Sequence, residues 1–232
     1  MNEFIKKRKS IRKYDQTKLD EDAIAKVREK IANLKPLYPG IPYEIEIVGK
    51  AKGAFGVAAP HYLIFGSEKK DGYLENIGFI GQQMDLFFSA NGLGSCWLGV
   101  AKPEKSEATA LPHVISMAFG APAEPLHREL SEFKRKTLTE ISEGSDTRLE
   151  AARLAPSGMN AQNWYFIADG GRIHCYRKKP TLVSGLLAGT LVYVDMGIAL
   201  CHIAEETENF TFVKEEGAPE RKGCIYMGTV GG

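Results

Sequence analysis

The sequence predicts a mixed helix-and-strand protein whose second half repeats the plan of its first. Segments with helical spacing of apolar residues alternate with short alternating or continuous apolar runs. Three pairs of segments also match, in the same order and at similar spacing. Residues 31–45 lie against 151–165 with Ala32/Ala152, Leu34/Leu154 and Pro36/Pro156 in step at an offset of 120, 76–84 against 195–203 at 119, and 8–14 against 135–141 at 127. Two lobes follow, residues 1–143 and 144–232, with the seam in "EGSD" (143–146).

Along the first lobe, Ile24, Val27, Ile31 and Leu34 form one face of a helix that Asp20 or Asp22 can cap and that Pro36, Pro39 and Pro42 close. "YEIEIVG" alternates as a half-buried strand, and "APHYLIFG" (59–66) is a more buried one. Residues 75–91 carry Ile77, Ile80, Met84 and Phe87 on one helical face, with Asn91-Gly92 as the stop. "VISMAFG" (114–120) is a strand. In the second lobe, 146–155 is a helix stopped by Pro156, "WYFIADGGRIHCY" a hairpin turning at Asp169-Gly170-Gly171, "LVYVDMGIALCHIAEE" a strand and helix hinged near Asp195, and "GCIYMGTV" a last strand.

Bulk composition narrows the function classes. Thirty Lys and Arg against 29 Asp and Glu give a net charge of +1, so no global field draws nucleic acid or an acidic membrane. The four cysteines are far apart, without ligand spacing, and read as free thiols of a reducing cytoplasm rather than disulfides or zinc ligands. The start lacks an apolar signal core. The weakly polar run 183–204 is interrupted by Gly185, Gly189, Asp195, Gly197 and His202, which argues against a membrane span.

Three segments could carry chemistry. "KKRKSIRK" (6–13) has six basic residues in eight positions. It suits a nucleic-acid arm, a solvated helix end or a phosphate site in which Arg8 and Arg12 fork onto oxygens beside Ser10; spacing leaves all three open. "GLGSCWLGV" (92–100) reads either as a helix end running into a buried strand or as backbone laid against a flat ring. "APSGMNAQNW" (155–164) gathers amides and a hydroxyl between a helix and a strand. The five histidines are scattered, and no H-E-x-x-H, G-x-S-x-G or Walker loop is present. A cofactor would therefore supply the reactivity of any enzyme built on this chain.

Together these segments resemble the flavin-dependent nitroreductase family, whose members carry R-x-S-x-R (here "RKSIR"), A-P-S-x-x-N-x-Q-P-W (here "APSGMNAQNW"), G-L-G-x-C-W (here "GLGSCW") and a late G-x-P…R-x-P-L-x-E tract (here "GAP" and "RKTLTEI"). The resemblance implies an α+β fold, a sheet core flanked by helices in each of two pseudo-symmetric lobes, binding FMN non-covalently. Carried over by position, Arg8, Ser10 and Arg12 would hold the phosphate and ribityl chain with the Lys9 backbone nearby, and Arg135 would add charge. Pro156, Ser157, Gly158, Asn160 and Gln162 would form the polar loop at the ring, and the backbone of Trp97, Leu98 and Gly99 would lie by its reactive edge. Asn163 stands where the motif has proline.

In typical members A-P-S follows R-x-S-x-R closely and the flavin site is shared between subunits. Here the motif comes late, while its first-half counterpart, "KPLYPGIPYE" (35–44), has lost the ligand residues. The chain thus resembles the two-lobed, single-chain branch of the family, a fused dimer with one FMN site. The resemblance implies NAD(P)H as electron donor, a nitroaromatic or quinone acceptor, and a cytoplasmic monomer without nucleic-acid or membrane partners. The alternative is an FMN-binding or storage protein without turnover.

Overall fold

The computed structural model describes residues 2–53, 56–104, 109–179 and 191–232. After an N-terminal segment that bridges Arg8 to His127, Ser10 to Ser95 and Tyr14 to Pro122, α1 (Glu21–Ala32) begins where Asp20 accepts from the Ala23 amide at 2.8 Å. This side chain satisfies an amide that the first helical turn leaves unpaired. Then come β1 (Tyr43–Val48), β2 (Ala51–Lys52), β3 (His61–Ser67), α2 (Tyr73–Ala90), β4 (Gly94–Leu98), β5 (Lys102–Pro103) and β6 (His113–Gly120). At Gly92, after α2, φ is +75°, a conformation that costs glycine little. The second half continues with α3 (Leu138–Ile141), β7 (Ser142–Glu143), α4 (Leu149–Leu154), β8 (Trp164–Asp169), β9 (Arg172–Lys178), α5 (Leu191–Ala204), β10 (Thr211–Val213) and β11 (Cys224–Gly231).

The strands make two main sheets, β1-β3-β6-β4 and β8-β9-β11-β10, with β7 added parallel to β8 at the outer edge and β2-β5 as a separate pair. In each main sheet the four successive strands stand in the same order, first-second-fourth-third, all antiparallel, with the long helix α2 or α5 between the second and third. Ser142 and Glu143, immediately before the sequence seam, pair with Phe166 and Ile167 and so extend the second sheet.

One continuous core joins the two halves. It includes Leu63 and Phe65 of β3, Ile77, Ile80 and Met84 of α2, Trp164 and Phe166 of β8, and Ile198, Leu200 and Ile203 of α5. Both long helices are buried on nearly every face, as expected of helices apolar all round. They cross where each presents a glycine to the other's backbone. A Cβ on Gly78 would sit 2.0 Å from the Val194 carbonyl oxygen, and one on Gly197 would sit 2.0 Å from that of Glu75. The two contacts are reciprocal, since both residues of one lie 119 positions from their counterparts in the other.

One expectation is overturned. Residues 191–196 continue α5 without a strand or a hinge at Asp195. A short apolar run has no readable period, and close packing on α2 makes this one helical. The start of the weakly polar run, 183–190, lies outside the described residues.

Candidate functional site

A cavity of about 300 Å³ opens where the two halves meet. Ser10 and Arg12 of the N-terminal segment form one side. Cys96, Trp97, Gly99 and Val100, from β4 and the turn beyond it, form the second, and Pro156 to Met159 the third. Leu191, Val194, Asp195 and Ile198 of α5 make the floor. Seven residues singled out in the sequence, Ser10, Arg12, Trp97, Gly99, Pro156, Ser157 and Gly158, thus meet around one space.

The others lie behind this wall. Leu98 is buried opposite Ser116 in the first sheet. Lys9 Nζ is 3.6 Å from Glu124. Arg8 is buried, with Nε 2.8 Å from Asp85 Oδ2 and Nη2 donating to Ser10 Oγ at 3.3 Å. Asn160 accepts from Arg135 Nη1 at 2.6 Å and donates to the Lys134 carbonyl at 2.7 Å. Gln162 Oε1 accepts from the Lys136 amide at 2.8 Å, while its Nε2 donates to the Asn160 carbonyl at 3.0 Å. The Gln162 amide donates to Ser157 Oγ at 3.0 Å.

The amides therefore brace the loop. They hold a backbone with left-handed φ at Met159 (51°), Asn160 (57°) and Gln162 (50°). Such geometry costs a non-glycine residue energy and persists only where its surroundings fix it.

Behind the cavity, positive charge exceeds its visible partners. Burial, and then the neighbouring Arg8, push Arg128 down to about 10. Arg135 falls to about 9 through burial, then Arg8, Arg128 and Arg153. Arg8 Nη1 and Arg135 Nε are buried donors without a hydrogen-bond partner. Arg8 Nε also makes no well-aligned hydrogen bond, although it is at ion-pair distance from Asp85, so that contact is electrostatic rather than directional. Unmatched buried guanidinium donors are costly unless an anion meets them.

A satisfied polar network stiffens the wall. Asp85 accepts from Ser95 Oγ at 2.6 Å and from Gln82 Nε2 at 2.8 Å. Gln82 Oε1 accepts from Trp97 Nε1 at 3.2 Å, and Gln82 Nε2 lies 3.0 Å from His202 Nε2. His202 Nδ1 lies 2.9 Å from the Ala151 carbonyl, which only accepts, so the proton sits on Nδ1 and Nε2 accepts from Gln82. Burial pushes His202 down to about 3, keeping it neutral. Trp97 is held by Gln82 and stacked on Phe65, with ring centroids 5.8 Å apart. Gly81 leaves room for it, since a Cβ there would lie 2.3 Å from the indole.

Sequence reasoning missed Asp195 as a site residue. Its Oδ1 accepts from the Gly158 amide at 2.8 Å, and no described residue donates to Oδ2. Burial raises the carboxyl to about 7, against the lowering effect of that hydrogen bond. The available signal was a lone acid inside an otherwise apolar run. Cys96 is buried, and burial raises its thiol, so it has the character of an inert core cysteine. Among the described residues, no cluster of His, Cys, Asp or Glu has metal-holding geometry, and no helix is long and apolar enough to cross a membrane.

The architecture is the nitroreductase fold. A crystal structure described as a "putative nitroreductase" from Thermotoga maritima superposes with a TM-score of 0.64 at 24% identity, covering 99% of this chain and 92% of that one. An FMN-dependent nitroreductase from Clostridium difficile gives a TM-score of 0.50 at 19% identity, covering 63% of this chain and 100% of that one. The model of the family described as "Putative TM nitroreductase" matches residues 1–206, and the chain belongs to that family, a group of oxidoreductases. No functionally curated protein matches the chain.

Proposed function

We propose that this chain is an FMN-dependent oxidoreductase that passes reducing equivalents from NAD(P)H to a small organic acceptor such as a nitroaromatic or a quinone. The observation that carries the reading is the meeting of Ser10, Arg12, Gly99 and Pro156–Gly158 around one cavity backed by partnerless arginine donors. The residues present fit FMN. An anionic phosphate suits Arg12 at the cavity wall and the positive charge of Arg8 and Arg135 behind it, and the apolar floor of Val194 and Ile198 suits a flat ring.

When bound, FMN supplies two-electron transfer between donor and acceptor. The chain supplies placement and charge. Ser10 and Arg12 would hold the phosphate end, supported by Arg8, Arg135 and the Lys9 backbone. The Gly99 backbone, packed on Leu191, would lie by the ring edge beside Leu98. Ser157 and Gly158 would contribute to the ring site, on a loop braced by Asn160 and Gln162. Trp97 keeps a fixed apolar wall that excludes water. Asp195 Oδ2 is a group that can hold or release a proton near neutral pH inside the cavity.

We also propose that the chain is a fused version of the family dimer, working as a monomer with one FMN site. The shared strand order of the two sheets and the reciprocal glycine crossing support this. The test is the flavin absorbance of the purified protein, with stoichiometry, and its anaerobic bleaching by NAD(P)H. One FMN per monomer, bleached by NAD(P)H and restored by a quinone, is the expected result. A colourless protein, or two FMN per chain, overturns the site. A yellow protein that NAD(P)H leaves unbleached overturns the reductase and leaves a flavin-binding protein.

A further inference from the structure

A second cavity, of about 320 Å³, lies at the place related to the first by the chain's repeat. Its wall includes Tyr38, Gly72 and Glu75. Tyr38 stands 120 positions before Gly158, and Gly72 and Glu75 stand 119 before Leu191 and Val194, all three of which line the first cavity. The counterpart site has therefore kept its hollow while changing its chemistry.

The change is specific. Where the first cavity has Val194, this one has Glu75, only 6% exposed, with a carboxylate that its own backbone amide meets and to which no other described residue donates. Arg177, across the cavity at the end of β9, has a buried Nε without a partner and lays its guanidinium 4.6 Å from the Tyr193 ring centre. Tyr38, Tyr193 and Phe212 provide flat apolar surface, and the Tyr38 and Phe212 rings are 6.3 Å apart. Burial pushes the Glu75 carboxyl up to about 7 against the lowering effect of its own backbone hydrogen bond, with Asp71 adding to the rise and Lys214 and Arg177 opposing it.

An acceptor carboxylate, a spare N–H donor and aromatic walls are complementary to a planar heterocycle presenting N–H groups beside a carbonyl. A carboxylate this deeply buried, with one hydrogen bond from its own amide, keeps acceptor capacity that costs free energy until a ligand donor meets it. We propose that this cavity binds an aminopyrimidinone ring, with its adjacent N–H groups on Glu75, its carbonyl toward the Arg177 guanidinium and its face against the tyrosines. Guanine and pterin rings share this edge. The assignment is independent of FMN in the first cavity.

The probes are pterin, followed by its own fluorescence, and guanosine, followed by calorimetry, each titrated into the full-length protein. Saturable binding of at least one, at one per chain, is expected. Guanosine alone would assign a nucleobase, and pterin alone the larger fused ring. Glu75→Gln keeps the shape but removes the charge and should weaken binding at least tenfold. Tyr193→Ala should weaken it separately. Far-UV circular dichroism checks that both variants remain folded, and FMN content reports the first cavity separately. The proposal is overturned if neither probe binds the wild type saturably, or if folded Glu75→Gln and Tyr193→Ala both bind as the wild type does.

Discussion

Replacing Gly197 by alanine sets two physical effects against each other. On helix propensity alone, the change should stabilise α5 by about 1 kcal/mol. The packing says the reverse. The added Cβ would sit 2.0 Å from the Glu75 carbonyl oxygen and 2.8 Å from the Phe79 amide nitrogen. Both are backbone atoms of α2, so no side chain can swing away, and the helices must separate by more than about 1 Å to reach ordinary contact. Overpacking of a close core costs about 1–3 kcal/mol, and a backbone-to-backbone clash belongs at the upper end. The net expectation is about 2 kcal/mol of destabilisation, or a fall in Tm of about 4–8 °C for a chain this long. Thermal melting followed by circular dichroism is the assay, with Gly40→Ala as control because a Cβ there meets nothing within 4 Å. Gly78→Ala should match Gly197→Ala in size, since it faces the Val194 carbonyl in the same way. A Tm at or above wild type for either variant would refute the crossing as described.

Three further outcomes follow from the same geometry. Burial raises the Asp195 carboxyl to about 7, so the fold holds its proton more tightly than the unfolded chain does; the stability this gives is full below the ordinary carboxyl range and is lost as pH rises through about 7. Between about pH 5 and 8, wild-type Tm should therefore fall relative to that of Asp195→Asn, while Glu75 and, with opposite sign below about pH 6.5, His202 add the same slopes to both proteins; parallel profiles for the two proteins would show that Asp195 titrates normally. Asp85→Ala strands the Arg8 guanidinium, buried to the same 1% exposure as its partner, and should cost about 3–5 kcal/mol in urea unfolding; replacing both residues with apolar ones of similar size should recover most of that, and a mild single variant would argue against a buried pair. Arg12→Ala should lower FMN retention on dialysis with little change in apoprotein Tm, whereas Ser157→Ala, which removes the acceptor of the Gln162 amide, and Asn160→Ala, by freeing Arg135 and Lys134, should lower both; loss of flavin with an unchanged apoprotein Tm for Asn160→Ala would mean that it serves the ligand alone.

Much of this molecule was legible in local patterns. The cap at Asp20, the stop at Asn91-Gly92 and the hairpin at Gly170-Gly171 each depend on residues a few positions apart. The offset of 119 between 76–84 and 195–203 sets Gly78 in register with Gly197. The three motifs converge in the fold, because Ser10, Gly99 and Ser157 all line one cavity.

Local patterns stop where a side chain must choose between partners far away in the chain. Arg8 turns inward because α2 offers it Asp85, and Asn160 and Gln162 turn to residues 134–136, so these groups frame the site from behind. Asp195 read as a hinge because nothing in its own segment shows that the Gly158 amide waits 2.8 Å away. The sequence by itself determined the elements, their order and the motifs, since propensity, capping and periodicity act over a few residues. Only the tertiary structure decided which polar groups found partners and which were left open to a ligand, since hydrogen bonding and desolvation depend on what the folded chain brings within about 3 Å.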